Sequence, residues 1–185
     1  PDVALVTTLW ANNEVGTLQP VAEVVALAAA HGIPVHADAV SAYGSVPIDF
    51  AASGLAAMSI SAHKIGGPVG IGALVISRTA LVTPLLHGGN QQRARSGTMD
   101  VAGAVAFAAA AAAIEPDHAA VRALRDRLIA GIRAAVPEAV LRGDPDDRLP
   151  LRDTALVAGD HMAQRPTGEG RDRGRDAVVR VGCRQ

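Results

Sequence analysis

Cysteine is almost absent. The chain has one, Cys183, so no disulfide can form within it, which fits a reducing compartment. Aromatic residues make up only 2% of the sequence, so its core has to be built from Ala, Val, Leu and Gly, small side chains that suit close helix-on-sheet packing. Neither sign of charge dominates. A formal net charge of -1 gives no electrostatic reason to expect a nucleic-acid or membrane-surface partner. Long apolar runs are missing too: the most apolar stretch, Val101 to Ile114, is alanine-rich and shorter than the roughly 20 residues a bilayer span needs. No charged-then-apolar signal opens the chain, which starts at Pro1-Asp2 and passes straight into strand-like sequence. A cytoplasmic fragment is the expectation.

What is present suffices for a core. With 185 residues, 49% of them hydrophobic, the chain can hold one substantial domain, or one and a small second, and wholesale disorder is not expected. Val3 to Leu9 is an apolar, β-branched run that predicts a buried strand. The polar turn Asn12-Asn13-Glu14-Val15-Gly16 comes next. Pro20 then suits a first helical turn, Val21 to His31 has helical spacing, and Gly32 supplies a stop. Further strands are predicted over Ile33 to Ala37, Met58 to Ser61 and Ile71 to Ile76. The alternation argues for an α/β sheet with much parallel pairing, in which polar residues at strand ends line a ligand crevice. Asn13, Asp38 and Lys64 stand at such ends. Beyond Thr98 two helices are predicted, Ala102 to Ile114 and Asp117 to Val136, and then a short strand, Glu138 to Leu141. From Gly143 onward periodicity is lost, and a tail rich in Arg, Asp, Gly and Pro is expected to be poorly ordered.

Four segments carry candidate chemistry. In Ser59-Ile60-Ser61-Ala62-His63-Lys64, a lysine ends a hydrophobic strand ahead of a glycine-rich turn, Gly66-Gly67-Pro68-Val69-Gly70. The neutral amine of a desolvated lysine is the nucleophile of Schiff-base chemistry. Ser61 and His63, two residues apart, can join backbone N–H groups in a phosphate cradle. A surface lysine after a strand has the same local sequence. In Val35-His36-Ala37-Asp38-Ala39-Val40-Ser41, a carboxylate at a strand end needs a cation or several donors, and a protonated pyridine nitrogen is one such cation. An aspartate capping a turn is the plainer alternative. Ala11-Asn12-Asn13-Glu14 offers an amide, or simply a turn. The polar loop His87 to Thr98 contains Arg93, Arg95 and hydroxyls that suit anion binding, as does any solvated loop.

In this order and at this spacing, the four segments resemble the cysteine desulfurases, within the class V aminotransferase family of fold-type I pyridoxal-phosphate enzymes. The resemblance runs from about Val3 to Leu141 and is densest between Asn12 and Thr98. It implies part of a fold-type I large domain (a mostly parallel sheet with flanking helices) leading into an incomplete small α+β domain. On that division, 1–100 is a partial cofactor-binding domain, 101–142 a connecting helix and the start of the small domain, and 143–185 a tail unlike the family.

The resemblance also implies roles. Lys64 corresponds to the Schiff-base lysine, Asp38 to the partner of the pyridine nitrogen, and Asn13 to a hydrogen-bond donor to the ring hydroxyl. Ser61 and His63 correspond to ligands of the cofactor phosphate. Thr98, in Arg95-Ser96-Gly97-Thr98, matches the residue that reaches the phosphate of the neighbouring subunit in a homodimer. The implied cofactor is pyridoxal 5'-phosphate and the implied substrate L-cysteine, converted to L-alanine while its sulfur passes to an enzyme cysteine. Scaffold proteins that build iron–sulfur clusters or thiolated cofactors are the implied acceptors. Neither nucleic acid nor membrane is implied.

The departures from the family are specific. Ser41 stands where many relatives have a glutamine that contacts the ring oxygen, and Asn90 where a third glycine is usual. The segment bearing the histidine that stacks on the cofactor lies upstream of Pro1. A cysteine loop with small flanking residues is missing, and Cys183, in Val181-Gly182-Cys183-Arg184-Gln185, has the wrong neighbours for the catalytic thiol. Family-like sequence fades near Arg148-Leu149-Pro150, and the stretch beyond it has the look of a reading-frame change. The expectation is therefore a desulfurase by ancestry that is inactive as an isolated chain. A selenocysteine lyase, another class V aminotransferase, and a non-catalytic cofactor-binding or dimerisation remnant are the other readings.

Overall fold

The computed structural model describes residues 2–150 apart from 90, 93, 94 and 116, together with the backbone of 156–157 and 180–183. Strand β1 (Val3–Leu9) leads through a folded-back loop to helix α1 (Val21–Ala29). The helix ends two residues short of the expected His31, just ahead of the expected glycine stop. Gly32 takes a positive φ of 66°, and Gly32 N–H and Ile33 N–H bond the carbonyls of Ala29 and Ala28 at 3.0 Å each. Strand β2 (Val35–Asp38) comes after Pro34. The short helix α2 (Phe50–Ser53) has no counterpart among the predicted elements, since four residues are too few for a periodicity to show. It is set by its ends: the Asp49 carboxylate accepts from Ala52 N–H at 3.0 Å, and Gly54 closes it at φ 72°.

Strand β3 (Ala57–Ser61), a 3-10 turn (Ala62–Lys64) and strand β4 (Gly72–Ile76) form the next unit. Helices α3 (Val101–Ala112) and α4 (Ala119–Ala135) match the two predicted over this region. The short strands β5 (Val140–Leu141) and β6 (Leu156–Val157) pair with each other, and β7 (Arg180–Cys183) joins the main sheet.

The sheet order is β4-β3-β2-β1-β7. Parallel pairing is confined to β1, β2 and β3, while β4 and β7 run antiparallel at the two edges, so the sheet is mixed. Alternation along the parallel strands separates two faces. Val35, Ala37 and Met58 are buried with Val21 and Ala28 of α1, and with Ala39 and Leu55, to make the core. The residues between them, His36, Asp38 and Ser59, point to the other face.

Helix α3 packs on the 3-10 turn, and Gly67 sets how closely. A Cβ built there would lie 2.9 Å from Ala62 Cβ and 3.2 Å from Ala110 Cβ. Phe107 of α3 meets Tyr43 edge to face, with ring centroids 6.5 Å apart. On α4 the apolar stripe is not covered by the described residues: Leu124 and Leu128 are 54% and 49% exposed.

The tail expected to lack order lies outside the described residues at 151–155, 158–179 and 184–185. Its first residues are packed, with Arg148 and Leu149 buried. Among the described residues, no helix is long and apolar enough to cross a membrane.

Candidate active site

The site is a consequence of strand direction. Because β1, β2 and β3 are parallel, the segments that leave their C-terminal ends emerge along one sheet edge. Asp38 stands in register with Leu9 of β1 and Ser59 of β3. The ladder continues to this edge: Trp10 N–H bonds Asp38 O at 2.8 Å, and Ala39 N–H bonds Ser59 O at 2.9 Å. Asn13 therefore leaves on one side of Asp38, and Ser61, His63 and Lys64 leave on the other. In the sequence these residues are spread over 52 positions, from Asn13 to Lys64 inclusive.

Asp38 is partly buried, and its orientation is fixed locally. Its Oδ1 accepts from Val40 N–H at 2.9 Å, an Asx turn, while Oδ2 has no partner among the described residues. Ser61 and His63 meet as the sequence suggested: Ser61 Oγ and His63 Nδ1 are 2.6 Å apart. His63 sits in the 3-10 turn rather than on an extended strand end, and the turn brings its ring back over Ser61. Lys64 stands at the end of that turn, exposed to solvent and with no ion pair to a described residue. Its side chain is not desolvated by the residues around it here.

The two asparagines divide their work. Asn12 Oδ1 accepts from Glu14 N–H at 2.8 Å and Val15 N–H at 3.0 Å, and so builds the turn. Asn13 projects from it, exposed, with Nδ2 donating to Glu14 Oε1 at 2.7 Å. Ser41 lies, partly buried, in the turn beyond Asp38, where Ala42 and Tyr43 N–H both bond Ala39 O. Thr98 is exposed on the loop between β4 and α3, and no hydrogen bond joins it to the strand-end residues. Asn90 and Arg93 of that loop lie outside the described residues.

Two features of the site are not signalled by local sequence. The first is a strap over 144–149 that is sewn onto the loop carrying Asn13. Leu149 N–H bonds Gly16 O at 2.9 Å, Leu18 N–H bonds Asp147 O at 2.9 Å, and Arg148 Nη2 donates to Val15 O at 2.6 Å. Arg125 of α4 ties the strap to that helix through Nη1 and Leu149 O at 3.0 Å. Nothing in the composition of this segment announces it, because its bonds reach residues more than 100 positions away.

The second is a chain of side chains beneath the site. Thr7 Oγ1 and His36 Nδ1 are 2.8 Å apart, and His36 Nε2 and Ser59 Oγ are 2.8 Å apart. Burial pushes the His36 imidazole below its ordinary range, and the nearby Asp38 carboxylate pulls the other way. The strand alternation that puts His36 and Asp38 on one face is the one signal of it that the sequence holds.

The sole cysteine stands far from this edge. On β7, Cys183 is in register with Val3, at the start of β1, six residues before Leu9. At ~3.3 Å per residue this is ~20 Å of strand from the end that bears Asp38.

Comparison with known proteins supports one ancestry for this arrangement. The family profile described as aminotransferase class-V matches residues 1–148. An "IscS-like cysteine desulfurase" of Mycobacterium tuberculosis is 51% identical over 150 residues, which cover 78% of this chain and 38% of that protein. "Cysteine desulfurase NifS" of Azotobacter vinelandii is 45% identical over 166 residues, covering 87% of this chain and 41% of the relative. Among solved structures, a NifS-like protein from Rickettsia africae superposes with a TM-score of 0.73 at 34% identity, over 79% of this chain and 42% of that one. The chain thus spans about 40% of the length of the relatives it matches.

Proposed function

This chain belongs to the aminotransferase class-V family, and we propose that it is the pyridoxal-phosphate-binding part of a cysteine desulfurase. The observation that carries the reading is the gathering of Asn13, Asp38, Ser61, His63 and Lys64 along the C-terminal edge of three parallel strands. The donor set fits the cofactor group by group. Asp38 offers a fixed carboxylate whose Oδ2 is engaged by no described residue, suited to a protonated pyridine nitrogen. The Ser61–His63 pair offers a hydroxyl and an imidazole to a phosphate. Asn13 offers an amide to a ring oxygen, and the primary amine of Lys64 is the group that holds the aldehyde covalently. Ser41, shorter than the glutamine usual at its position, supports the ring oxygen less directly.

When bound, pyridoxal phosphate supplies an electron sink for cleavage at the substrate's carbons. The chain's own residues supply the rest. Asp38 keeps the ring nitrogen charged, Ser61 and His63 fix the phosphate end, and Lys64 Nζ takes up and returns protons at the reacting carbon. In the whole enzyme, L-cysteine is the substrate, and its sulfur passes to a cysteine thiolate and on to acceptor proteins. Thr98, exposed on its loop, matches the family residue that reaches the phosphate of a neighbouring subunit, which supports a homodimer as the working form.

Cys183, at the far end of β1, favours a second reading for the chain in isolation: it binds the cofactor without transferring sulfur. The test is to mix the purified chain with pyridoxal phosphate and record the visible absorbance beside Lys64→Ala. A new band in the parent that is lost in the variant supports the reading. A parent that gives no band, or a band unchanged in Lys64→Ala, overturns it.

A further inference from the structure

The imidazole of His36 is strung across the central strands directly beneath the site. Thr7 is its register neighbour on β1, while Ser59 stands one step nearer the edge on β3. Ala57, directly opposite His36 on β3, is small enough to let the ring lean toward Ser59. Both ring nitrogens are thereby taken by hydroxyls, at 2.8 Å each. One hydroxyl can donate to the bare ring nitrogen while the other accepts from the ring N–H, so a neutral imidazole satisfies the whole chain.

We propose that His36 is a positioning residue: a neutral bridge that fixes the spacing of the three parallel strand ends and leaves the Asp38 carboxylate uncompensated for a cationic ring nitrogen. The last clause rests on the function proposed above; the bridge itself does not. His36 and Asp38 share a sheet face two residues apart, close enough for the carboxylate to act on the imidazole. An imidazolium at that place would neutralise Asp38 and compete with the cation it is to hold. Burial opposes that charge and outweighs the pull of Asp38. No other described side chain supplies a competing charge along these strands. The sequences of β1, β3 and β4 contain no ionisable residue, Asp38 is the other ionisable residue of β2, and Arg180 of β7 holds the backbone register beside Thr7.

The experiment is a nitrogen-15 imidazole spectrum of the full 185-residue chain without cofactor, titrated with pH. The His36 signals are assigned by their loss in His36→Gln. The expected result is one neutral tautomer at pH 7, titration below the ordinary histidine range, and a further downward move in Asp38→Asn. A charged or tautomerically mixed His36 at pH 7, or a titration that ignores Asp38→Asn, overturns the proposal. Pyridoxal-phosphate affinity gives the second readout. His36→Gln, whose amide both donates and accepts, should hold affinity near the parent's, while His36→Phe should lose roughly fivefold, about what one net hydrogen bond commands. Equal affinities in the two variants would remove the link to Asp38. A normal His36 spectrum in a chain that binds cofactor through Lys64 sinks this inference alone, whereas the expected spectrum in a chain that binds none sinks the functional reading alone.

Discussion

Ser61 Oγ and His63 Nδ1 lie 2.6 Å apart across the turn that ends β3, one residue before Lys64. The pair is exposed on the His63 side, so its geometry is held by the turn rather than by surrounding packing. Ile65 N–H and Gly67 N–H both bond Ala62 O, at 3.0 and 2.9 Å, which closes the turn behind the pair.

Removing the Ser61 hydroxyl should therefore affect recognition and not folding. Ser61→Ala is expected to weaken pyridoxal-phosphate binding roughly tenfold to a hundredfold, the range for one hydrogen bond to a charged group, with little change in thermal midpoint. Absorbance titration and a melting curve on the same preparation check both parts. Pyridoxal without its phosphate should not distinguish parent from variant.

How much of this is legible in the sequence depends on the range of the interaction. The strands and long helices are written in local patterning, so β1, α1 and α3 fall within a residue or two of their predicted bounds. The grouping of Asn13, Asp38, Ser61, His63 and Lys64 is legible because each closely follows or ends a strand, and parallel pairing does the gathering; that of Thr98, on its loop, is not. The Thr7–His36–Ser59 chain is not, because it depends on the register of three strands. Nor is the exposure of Leu124 and Leu128. Amphipathic spacing on α4 states that a face seeks cover, without stating that the cover lies among the described residues.

Gly67 tests how the lysine turn is backed. A methyl group there would stand 2.9 Å from Ala62 Cβ, 3.0 Å from Ala62 O and 3.2 Å from Ala110 Cβ, so its neighbours cannot rotate away. Gly67→Ala should push α3 off the turn and cost about 1–3 kcal/mol, the usual penalty of overpacking. Urea unfolding measures it. An unchanged midpoint would mean that α3 does not rest on this turn in solution.

The depressed pKa of His36 predicts a pH dependence with a definite sign. The folded chain holds this proton less tightly than the unfolded chain, whose imidazole titrates near ~6.5. Its contribution to stability is therefore fully present above that value and is lost as pH falls toward and through the folded pKa. The difference in unfolding free energy between parent and His36→Gln, measured by denaturant from pH 8 to pH 4.5, should be flat at the alkaline end and shift against the parent below about pH 6.5. A difference that stays constant across the range would show that the imidazole titrates alike in both states.

The position of Cys183 bears on whether this chain can move sulfur. On the proposed function, a persulfide-forming thiolate would have to approach the sulfur of a substrate held at Lys64, yet the backbone of Cys183 pairs with Val3 at the opposite end of β1. The ~20 Å between them is the length of the strand, and no side chain spans it. Cys183→Ser should accordingly leave both the cofactor absorbance and any turnover of L-cysteine at the parent's level. Treating the cofactor-loaded parent with L-cysteine, and tracking alanine by chromatography and protein mass by spectrometry, should show no added sulfur on the chain. A mass increase of one sulfur atom that disappears in Cys183→Ser would reverse the argument: β7 would have to leave the sheet edge in solution and deliver its thiol to the strand ends where Asp38 and Lys64 stand.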